Sequence, residues 1–366
     1  MNKTAGIKDI RAVDAKFEAQ KIAFGPLVFH AARALIDFGI LRAVSDAGAQ
    51  GLSCKEIAEK SGISLYGVSL LAEMALGMKV FLRAEPSDSE DQDEHFILGK
   101  TGFFLLEDDM TRVNMNFVYD ICYQGASFLP ESIKTGEPLG LSVFGKQHKT
   151  IYEALSSLPE QSKKSWFEFD HFYSDIAFPC ALPIVFDRKP KNLVDVGGNT
   201  AKWAISCCSF NTDVKITIVD LPGQTALAEK NAQAAGFSDR ICVYPCDILD
   251  ENTEFPKGAD AVWMSQFLDC FSLSDITLIL KKIRRAVDRN ADIFILEPLL
   301  DMQKFEAAAY SLQAASLYFS CMANGKSTFY HFRELKDAVE RAGFDLSCAH
   351  HNIGSNAYSL LCFKKI

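Results

Sequence analysis

The hydrophobic and polar positions of residues 1–102 predict a small, all-α winged-helix domain. Apolar side chains recur at helical spacing over residues 22–48, and we expect Gly39 to divide this stretch into two helices. Ser53 and Ser64 stand where the N-cap residues of two further helices would lie. Two short apolar runs then predict the hairpin of a wing. The predicted elements are helices over Lys55–Lys60 and Leu65–Met78 and strands over Val80–Leu82 and Phe96–Leu98.

After Pro190 the pattern changes to short apolar runs that alternate with helical segments. Such alternation predicts an α/β domain with a Rossmann-like, mostly parallel sheet of seven strands. The last two apolar runs predict a closing hairpin. The predicted strands are 193–196, 216–219, 241–244, 260–264, 293–296, 345–350 and 357–363, and the helices are 201–210, 222–235, 274–287 and 332–342.

Residues 103–188 combine helical spacing with many aromatic side chains. Within them, the segment 168–179 places Asp170 and His171 among phenylalanines and tyrosines. Two interpretations stay open for this segment, namely packing between domains and one wall of a substrate pocket. We therefore predict three parts: a winged-helix domain over 1–102, a helical linker that forms part of the pocket over 103–188, and a ligand-binding α/β domain over 189–366.

The stretch 192–220 carries the candidate ligand chemistry. It predicts a buried strand, a turn at Gly197 and Gly198, a helix, and a second strand that ends at Asp220. A dinucleotide site requires a third glycine on fixed spacing, which this turn lacks. Asp195 before the turn would repel a pyrophosphate but suits a cationic ligand. The pattern favours S-adenosylmethionine (SAM), although an ordinary turn in an unrelated α/β protein would also contain two glycines.

Polar residues follow the apolar core of five successive predicted strands. Because ligands of open parallel sheets lie at the carboxyl ends of the strands, we expect these side chains to share one cleft. They are Asp195, Asp220, Asp247, Ser265 and Glu297.

Composition and charge exclude several other classes. The net charge of −9 argues against nucleic acid as a partner, and the predicted helix over Leu65–Met78 contains no Lys or Arg. The winged helix is therefore interpreted as a dimerisation surface. No apolar run reaches the length of about 18 residues that a membrane span needs, and the first residues lack a secretory apolar region, so a cytoplasmic protein is expected. Eleven cysteines without C-x-x-C pairs indicate buried thiols rather than disulfides or a zinc site.

The motifs together resemble the SAM-dependent O-methyltransferases of the caffeate and hydroxyindole type. The resemblance rests on DVGGNTA at 195–201, on VDLP around Asp220, on Asp247, and on the segment 322–345. It implies a homodimer that methylates phenolic or enolic hydroxyls of small aromatic molecules with SAM and without a metal. It also implies that Asp220 binds the ribose and Asp247 lies beside the adenine. The predicted cofactor residues are Asp195, Gly197, Gly198, Asn199, Asp220, Leu221, Asp247, Ile248 and Ser265.

The catalytic half departs from that family. Where the family has a histidine base in L-H-D-W, this chain has LDCF, which puts Asp269 at the histidine position and Cys270 beside it. The family's orienting glutamate falls at Ser327, and Ser265 replaces a lysine near the cofactor. The third glycine is Ala201, which we expect to crowd the cofactor slightly.

These departures leave three interpretations of the chemistry. In the first, Asp269 acts as the base with a pKa raised by burial and by Glu297. In the second, His171 acts instead. In the third, the substrate needs no base, or the activity is lost and the protein only binds SAM or its product. Asp269 is equally interpretable as a surface or helix-capping carboxylate before a helix that begins near Ser272. The candidate catalytic residues are thus Asp269, His171 and Glu297. We predict a SAM-dependent O-methyltransferase of a small aromatic molecule. The alternative is a catalytically silent dimer that binds SAM or its product as a sensor or scaffold, and the acceptor atom stays open among oxygen, nitrogen and carbon.

Overall fold

The computed structural model of the protein describes residues 10–85, 93–354 and 357–366. The chain divides into two compact units, 1–115 and 116–366. Most of the acidic loop expected between the hairpin strands lies outside the described residues. The proposed three-part division at 102 and 188 stays a prediction.

The N-terminal unit is helical, as predicted, and its turns follow the sequence signals. Gly39 adopts a left-handed conformation (φ 69°) between α2 and α3, which is the break expected there. Ser53 and Glu56 form a capping box at α4, and Ser64 accepts from the Gly67 N–H at the start of α5. The helices are α1 Ala12–Ala23, α2 Gly25–Asp37, α3 Ile40–Asp46, α4 Cys54–Ser61, α5 Leu65–Gly77, α6 Lys100–Glu107 and α7 Asp109–Phe117.

The unit also contains a small sheet, so it is not entirely α. The predicted hairpin forms from β2 (Phe81–Arg83) and β3 (His95–Leu98). An unpredicted strand, β1 (Leu52–Ser53), pairs antiparallel with β3, which gives the order β1-β3-β2. The buried core beneath it comes from α2–α5 and the sheet and includes Leu35, Leu41, Ile57, Val68 and Phe81.

The second unit contains the predicted seven-stranded sheet. Its order is β6-β5-β4-β7-β8-β10-β9, with the first five of these strands parallel. β10 runs antiparallel between β8 and β9, which is the predicted closing hairpin. The strands are β4 Asn192–Val196, β5 Lys215–Asp220, β6 Ile241–Pro245, β7 Ala261–Ser265, β8 Asp292–Glu297, β9 Phe344–Ile353 and β10 Tyr358–Lys365.

Helices cover the sheet, which explains its apolar strands. Every residue of β8 is buried, as expected for a parallel strand with both faces covered. The predicted helices of the α/β region form close to their expected bounds, whereas α15 was not anticipated. The helices of this unit are α8 Leu129–Thr135, α9 Ile151–Ala154, α10 Glu160–Ser174, α11 Phe178–Asp187, α12 Lys202–Phe210, α13 Pro222–Ala234, α14 Leu273–Ala286, α15 Glu306–Tyr318 and α16 Phe332–Arg341.

The order of the strands predicts a crevice at the carboxyl ends of the parallel strands. The chain proceeds outward from β4 through β5 to β6, then returns to place β7 on the other side of β4. At such a reversal the connections leave in opposite directions, which opens a ligand crevice at the carboxyl ends of the strands. Within the described ranges, no helix combines the length and apolarity needed to cross a membrane.

Candidate active site

A cavity of about 1070 Å³ opens at these carboxyl ends. Residues of the turns after β4, β5, β6 and β7 form one side of it. The structure thereby brings together every residue that the sequence assigned to the cofactor. These lining residues are Asp195, Gly197, Gly198, Asn199, Asp220, Leu221, Asp247, Ile248 and Ser265.

The turn after β4 depends on backbone conformations that favour glycine. Gly197 has φ 73°, and a Cβ there would collide with the ring of Phe267. A Cβ on Gly198 would stand 2.7 Å from Asp195 Oδ2. Ala201 is also left-handed (φ 68°), fully buried, and outside the cavity lining. Replacing the family's third glycine therefore costs backbone strain, on the order of 1 kcal/mol, rather than crowding a ligand as we had expected.

Two strand-end carboxylates of the cofactor side, the buried Asp195 and the half-buried Asp220, have few counter-charges nearby. Asp195 Oδ2 has no hydrogen-bond partner among the described residues. Burial, with the charge of Asp220, raises the pKa of Asp195 to about 8. Asp220 accepts from the backbone N–H of Asn199 at 2.9 Å and of Leu221 at 2.7 Å. Burial still raises its pKa to about 6. A pair of this kind is suited to a ligand that brings positive charge and hydroxyl donors.

Asp170 is a lining residue that sequence reasoning did not assign to the ligand. It lies on α10, lines the cavity, and accepts from the Asn199 side-chain amide at 3.1 Å. Burial raises its pKa above the ordinary value. Its charge acts on both Asp220 and Asp269, which line the same cavity. In the sequence, the signal for Asp170 was its place within a helical stretch that is rich in aromatic residues.

Asp269 lies in a turn, Leu268–Cys270, that follows β7 and lines the cavity. It is only 4% exposed, and burial is the main cause that raises its pKa to about 7, with the charge of Asp170 adding to it. The interpretation as a surface or capping carboxylate is wrong. Ser272 caps α14 instead, by accepting from the Asp275 N–H at 3.2 Å.

Glu297 stands at the end of β8 and supports the turn that carries Asp269. Its Oε1 accepts from the backbone N–H groups of Phe267 at 3.1 Å and Leu268 at 2.9 Å. Burial, and then the charge of Asp269, raise its pKa well above the usual range. Glu297 does not belong to the cavity lining, so the predicted direct catalytic role does not match its place. Its contacts are those of a positioning residue.

His171 lines the cavity on α10, close to the glycine turn. Its Nδ1 lies 3.6 Å from Asp175 Oδ1, and its Nε2 lies 3.4 Å from Thr200 Oγ1. Both ring nitrogens thus have polar neighbours on the cofactor side. Its assignment as an alternative base stays a prediction.

An aromatic chamber forms the other side of the cavity. Phe117 stacks on Phe169 with ring centroids 4.0 Å apart, and Trp166 Nε1 donates to the Tyr318 hydroxyl at 2.8 Å. The Tyr152 hydroxyl lies close to Cys270 and Asp269. The sequence had indicated this wall from residues 103–188, but it missed the contribution of α15 and the segment after it. The aromatic lining residues are Phe117, Phe128, Tyr152, Trp166, Phe169, Phe178, Trp203, Trp263, Phe267, Phe271, Tyr318, Phe319 and Phe329.

Asn324 connects the substituted glutamate position to the Asp269 turn. Its side-chain amide donates to the Cys270 carbonyl at 2.7 Å and to Ser327 Oγ at 2.9 Å. Ser327 itself is buried and outside the lining, whereas Asn324 lines the cavity. A neutral amide therefore supports this turn.

Two family models match the chain in its two parts. A Dimerisation2-like domain matches residues 16–88, and an O-methyltransferase domain matches residues 182–345. Residues 182–345 therefore carry an O-methyltransferase domain. The family assignment agrees with the glycine turn, the strand-end carboxylates and the fold of the second unit.

The curated relatives are distant in sequence from this chain. L-tyrosine C(3)-methyltransferase of Streptomyces lavendulae is 24% identical over 243 residues, which are 66% of this chain and 65% of the relative. O-demethylpuromycin-O-methyltransferase of Streptomyces alboniger is 25% identical over 65% of this chain and 61% of its own length. Acetylserotonin O-methyltransferase of Bos taurus is 21% identical over 77% of this chain and 80% of the relative. The chain thus spans less than two thirds of the first two relatives.

Solved structures of the same fold cover nearly the whole chain. The mitomycin 7-O-methyltransferase MmcR superposes with a TM-score of 0.72 at 16% identity, over 97% of this chain and 98% of that one. Human N-acetylserotonin methyltransferase in complex with SAM superposes with a TM-score of 0.66 at 17% identity, over 98% of this chain and 99% of that one. At these identities the likeness establishes the fold.

Proposed function

We propose that this protein is a SAM-dependent methyltransferase that acts on a hydroxyl group of a small aromatic molecule. The observation that carries the proposal is the single cavity of about 1070 Å³, which joins buried strand-end carboxylates to an aromatic chamber. The carboxylates suit a cationic cofactor, and the chamber suits a flat apolar acceptor. The O-methyltransferase family match supports both halves.

The residues present fit SAM better than a dinucleotide. SAM carries an ammonium, a sulfonium and a ribose diol, and it supplies an electrophilic methyl group when bound. Asp220 is placed to accept from ribose hydroxyls, and Asp247 would lie beside the adenine. The unpartnered oxygen of Asp195 gives the cationic end a buried counter-charge. A pyrophosphate in the same place would meet Asp195, Asp220 and Asp170 with like charge.

Asp269 is the proposed base for the acceptor hydroxyl. A phenol has a pKa of about 10, so removal of its proton at neutral pH requires a positioned acceptor. Asp269, with a pKa raised to about 7, is far closer to that requirement than an ordinary aspartate. Its carboxylate would take the hydroxyl proton while the aromatic chamber orients the oxygen and excludes water. Glu297 and Asn324 hold the turn that carries it.

The N-terminal unit is proposed to form the interface of a homodimer. Its first two helices expose several large apolar side chains, including Val13, Ile22, Phe24 and Leu27, and α1 buries none of its residues within the chain. Such a surface on a soluble unit fits a partner with the same exposed face. The Dimerisation2-like match supports this assignment. Sedimentation equilibrium should give twice the chain mass, and a monomer at micromolar concentration would contradict it.

Methylation at carbon is the second candidate. It is favoured by the relative named L-tyrosine C(3)-methyltransferase, which matches 66% of this chain. A base beside a phenolic hydroxyl serves this reaction as well, because the phenolate activates the ring carbon next to it. Proton NMR of the methylated product separates the two, since an O-methyl and a ring C-methyl have different chemical environments.

Calorimetry followed by a transfer assay tests the proposal. Titration with SAM and with S-adenosylhomocysteine (SAH) should show saturable binding of both, and a panel of phenols, naphthols and hydroxyaromatic acids should include a methylated product. No binding of either ligand at millimolar concentration would refute the cofactor assignment. Tight binding with no transfer to any acceptor would instead favour the silent sensor or scaffold.

A further inference from the structure

Two cysteines and a histidine converge on the last hairpin of the sheet, away from the active-site cavity. The antiparallel register pairs Cys348 of β9 directly with Cys362 of β10, and His350 with Leu360. Because side chains alternate along strands, Cys348, His350 and Cys362 project from the same face of the hairpin. Their two Sγ atoms and a ring nitrogen of His350 all lie within 4.8 Å of one another. None of the three lines the cavity.

We propose that Cys348, His350 and Cys362 bind a zinc ion. Thiolate sulfur and imidazole nitrogen are the ligands that zinc prefers, and three protein ligands leave a fourth, tetrahedral position for water. Zn–S bonds of about 2.3 Å and a Zn–N bond of about 2.1 Å require the ligand atoms to stand roughly 3.5–3.8 Å apart. Small side-chain rotations bring atoms that are already within 4.8 Å to that separation. On binding, two Zn–S bonds and one Zn–N bond form, and two thiol protons pass to solvent.

The local strand structure fixes the orientation of the triad. The register shifts between Cys362 and Phe363, which is the mark of a β-bulge beside the cysteine pair. Leu361 and Phe363 pack into the core under α14 and α16, so Cys362 faces the other side of the sheet. Cys362 is buried, whereas Cys348 and His350 are half-buried. Cys362 therefore lies on the protein side of the triad, whereas Cys348 and His350 lie toward solvent, from which a water ligand has access.

The position of the triad indicates a structural role. β9 is the outermost strand of the sheet and is held by β10 on one side alone. A metal bound by Cys348 and His350 of β9 and by Cys362 of β10 would hold β9 against β10. The sequence expectation against zinc rested on the lack of C-x-x-C pairs. Here the ligands come from a C-x-H pair on one strand and a cysteine on the facing strand, which only the register reveals.

Cobalt and zinc titration of the purified, chelator-treated and fully reduced protein tests the site. We expect one equivalent of Co²⁺ to produce a sulfur-to-cobalt charge-transfer band with intense tetrahedral d–d bands, and Zn²⁺ to displace it. Cys348→Ser and Cys362→Ser should each lose the charge-transfer band or weaken affinity at least about 100-fold, and His350→Ala at least about tenfold. Zinc should also protect two cysteines from alkylation, and it should raise the unfolding temperature of the wild type but not that of Cys348→Ser or Cys362→Ser.

Cys242→Ser is the matched control, because Cys242 is an exposed thiol on β6. It should bind cobalt as the wild type does. If Cys362→Ser does not fold, the half-buried Cys348 and His350 variants still decide the question. Absence of a charge-transfer band in the reduced wild type, or its retention in Cys348→Ser, would overturn the proposal. So would a Cys348–Cys362 disulfide in freshly purified protein that reduction does not convert into a metal-binding form.

Discussion

The side-chain amide of Asn199 donates to Asp170 at 3.1 Å, and this bond links the glycine turn to α10. The backbone N–H of the same Asn199 donates to Asp220 at 2.9 Å. One residue therefore connects a carboxylate of the predicted cofactor site with one that the sequence did not assign. The charge of Asp170 also acts on Asp269, and both carboxylates line the same cavity.

Asp170→Asn should weaken SAM binding more than SAH binding. SAM and SAH share the ammonium, ribose and adenine, and only SAM has the positive sulfonium. A carboxylate a few ångströms from that charge contributes on the order of 1–2 kcal/mol, so we expect SAM affinity to fall about tenfold and SAH affinity by less than about threefold. Isothermal titration calorimetry of both ligands at one pH gives the ratio.

Asp247→Asn is the comparison for Asp170. Asp247 lines the cavity and is assigned to the adenine, which both ligands carry, so it should weaken SAM and SAH equally. If Asp170→Asn loses as much affinity for SAH as for SAM, Asp170 does not face the sulfonium. Failure of the wild type to bind either ligand would instead refute the cofactor assignment.

Asp269→Asn should lower kcat by about 100-fold or more while SAM binding is retained. The base must be ionised to accept the hydroxyl proton, and the pKa of Asp269 is raised to about 7. The rate of the wild type should therefore rise with pH, with unit slope below about 7, and level off above it. The pH dependence of kcat with a saturating acceptor tests this, and the inflection should vanish in Asp269→Asn.

Two variants accompany that measurement. Asp213→Asn alters an exposed carboxylate and should keep both rate and inflection. His171→Gln should keep the inflection with a moderately reduced rate. If His171→Gln abolishes the inflection and Asp269→Asn preserves it, the base is His171, and the assignment of Asp269 is wrong.

Glu297→Gln and Glu297→Ala distinguish positioning from proton transfer. The glutamine oxygen can still accept from the Phe267 and Leu268 N–H groups, so we expect kcat within about threefold of the wild type. Alanine leaves these two donors unpaired, which costs about 1–3 kcal/mol of stability and should lower kcat at least about tenfold. Thermal unfolding and steady-state kinetics of both variants check this. A large loss of kcat in Glu297→Gln, with normal stability, would mean that Glu297 transfers a proton.

Local sequence signals predicted the fold and the convergence of the strand-end residues on one cavity. Each apolar run predicts a strand by itself. The polar residue that follows the run is therefore expected at the carboxyl end of that strand. Asp195, Asp220 and Ser265 therefore came together because parallel strands align their ends. The capping signals at Ser53 and Ser64 worked for the same local reason.

Contacts between distant parts of the chain could not be predicted in this way. Trp166 and Tyr318 are hydrogen-bonded although they are 152 residues apart, and nothing near either residue indicates the other. Asp170 lines the cavity because α10 packs against the glycine turn, and the helical spacing of α10 does not encode this packing. Whether Asp269 was buried depended on Glu297 holding its turn, and the sequence alone could not separate that from a helix cap at Ser272.

Asp195→Asn should stabilise the ligand-free protein at neutral and alkaline pH. In the folded protein the pKa of Asp195 is raised to about 8, whereas it is about 3.9 in an unfolded chain. Between these values the unfolded state alone releases the proton, so the contribution of Asp195 to stability falls as pH rises from 4 to 8. Asparagine does not ionise and removes this decline. The stability of Asp195→Asn relative to the wild type should therefore increase over this range, by an amount on the order of 2–4 kcal/mol.

The same substitution should weaken SAM binding, because in the proposed complex the ionised Asp195 would be the counter-charge for the cationic end of SAM. Binding to the wild type requires proton release, so its SAM affinity should rise with pH up to about 8, whereas that of Asp195→Asn should stay level. Thermal unfolding and calorimetry of both proteins from pH 5 to about 8.5 measure the two trends, with Asp213→Asn as the surface control. A stability difference that does not change with pH would show that Asp195 is ionised in the folded protein, and that its burial is compensated by charge in another way.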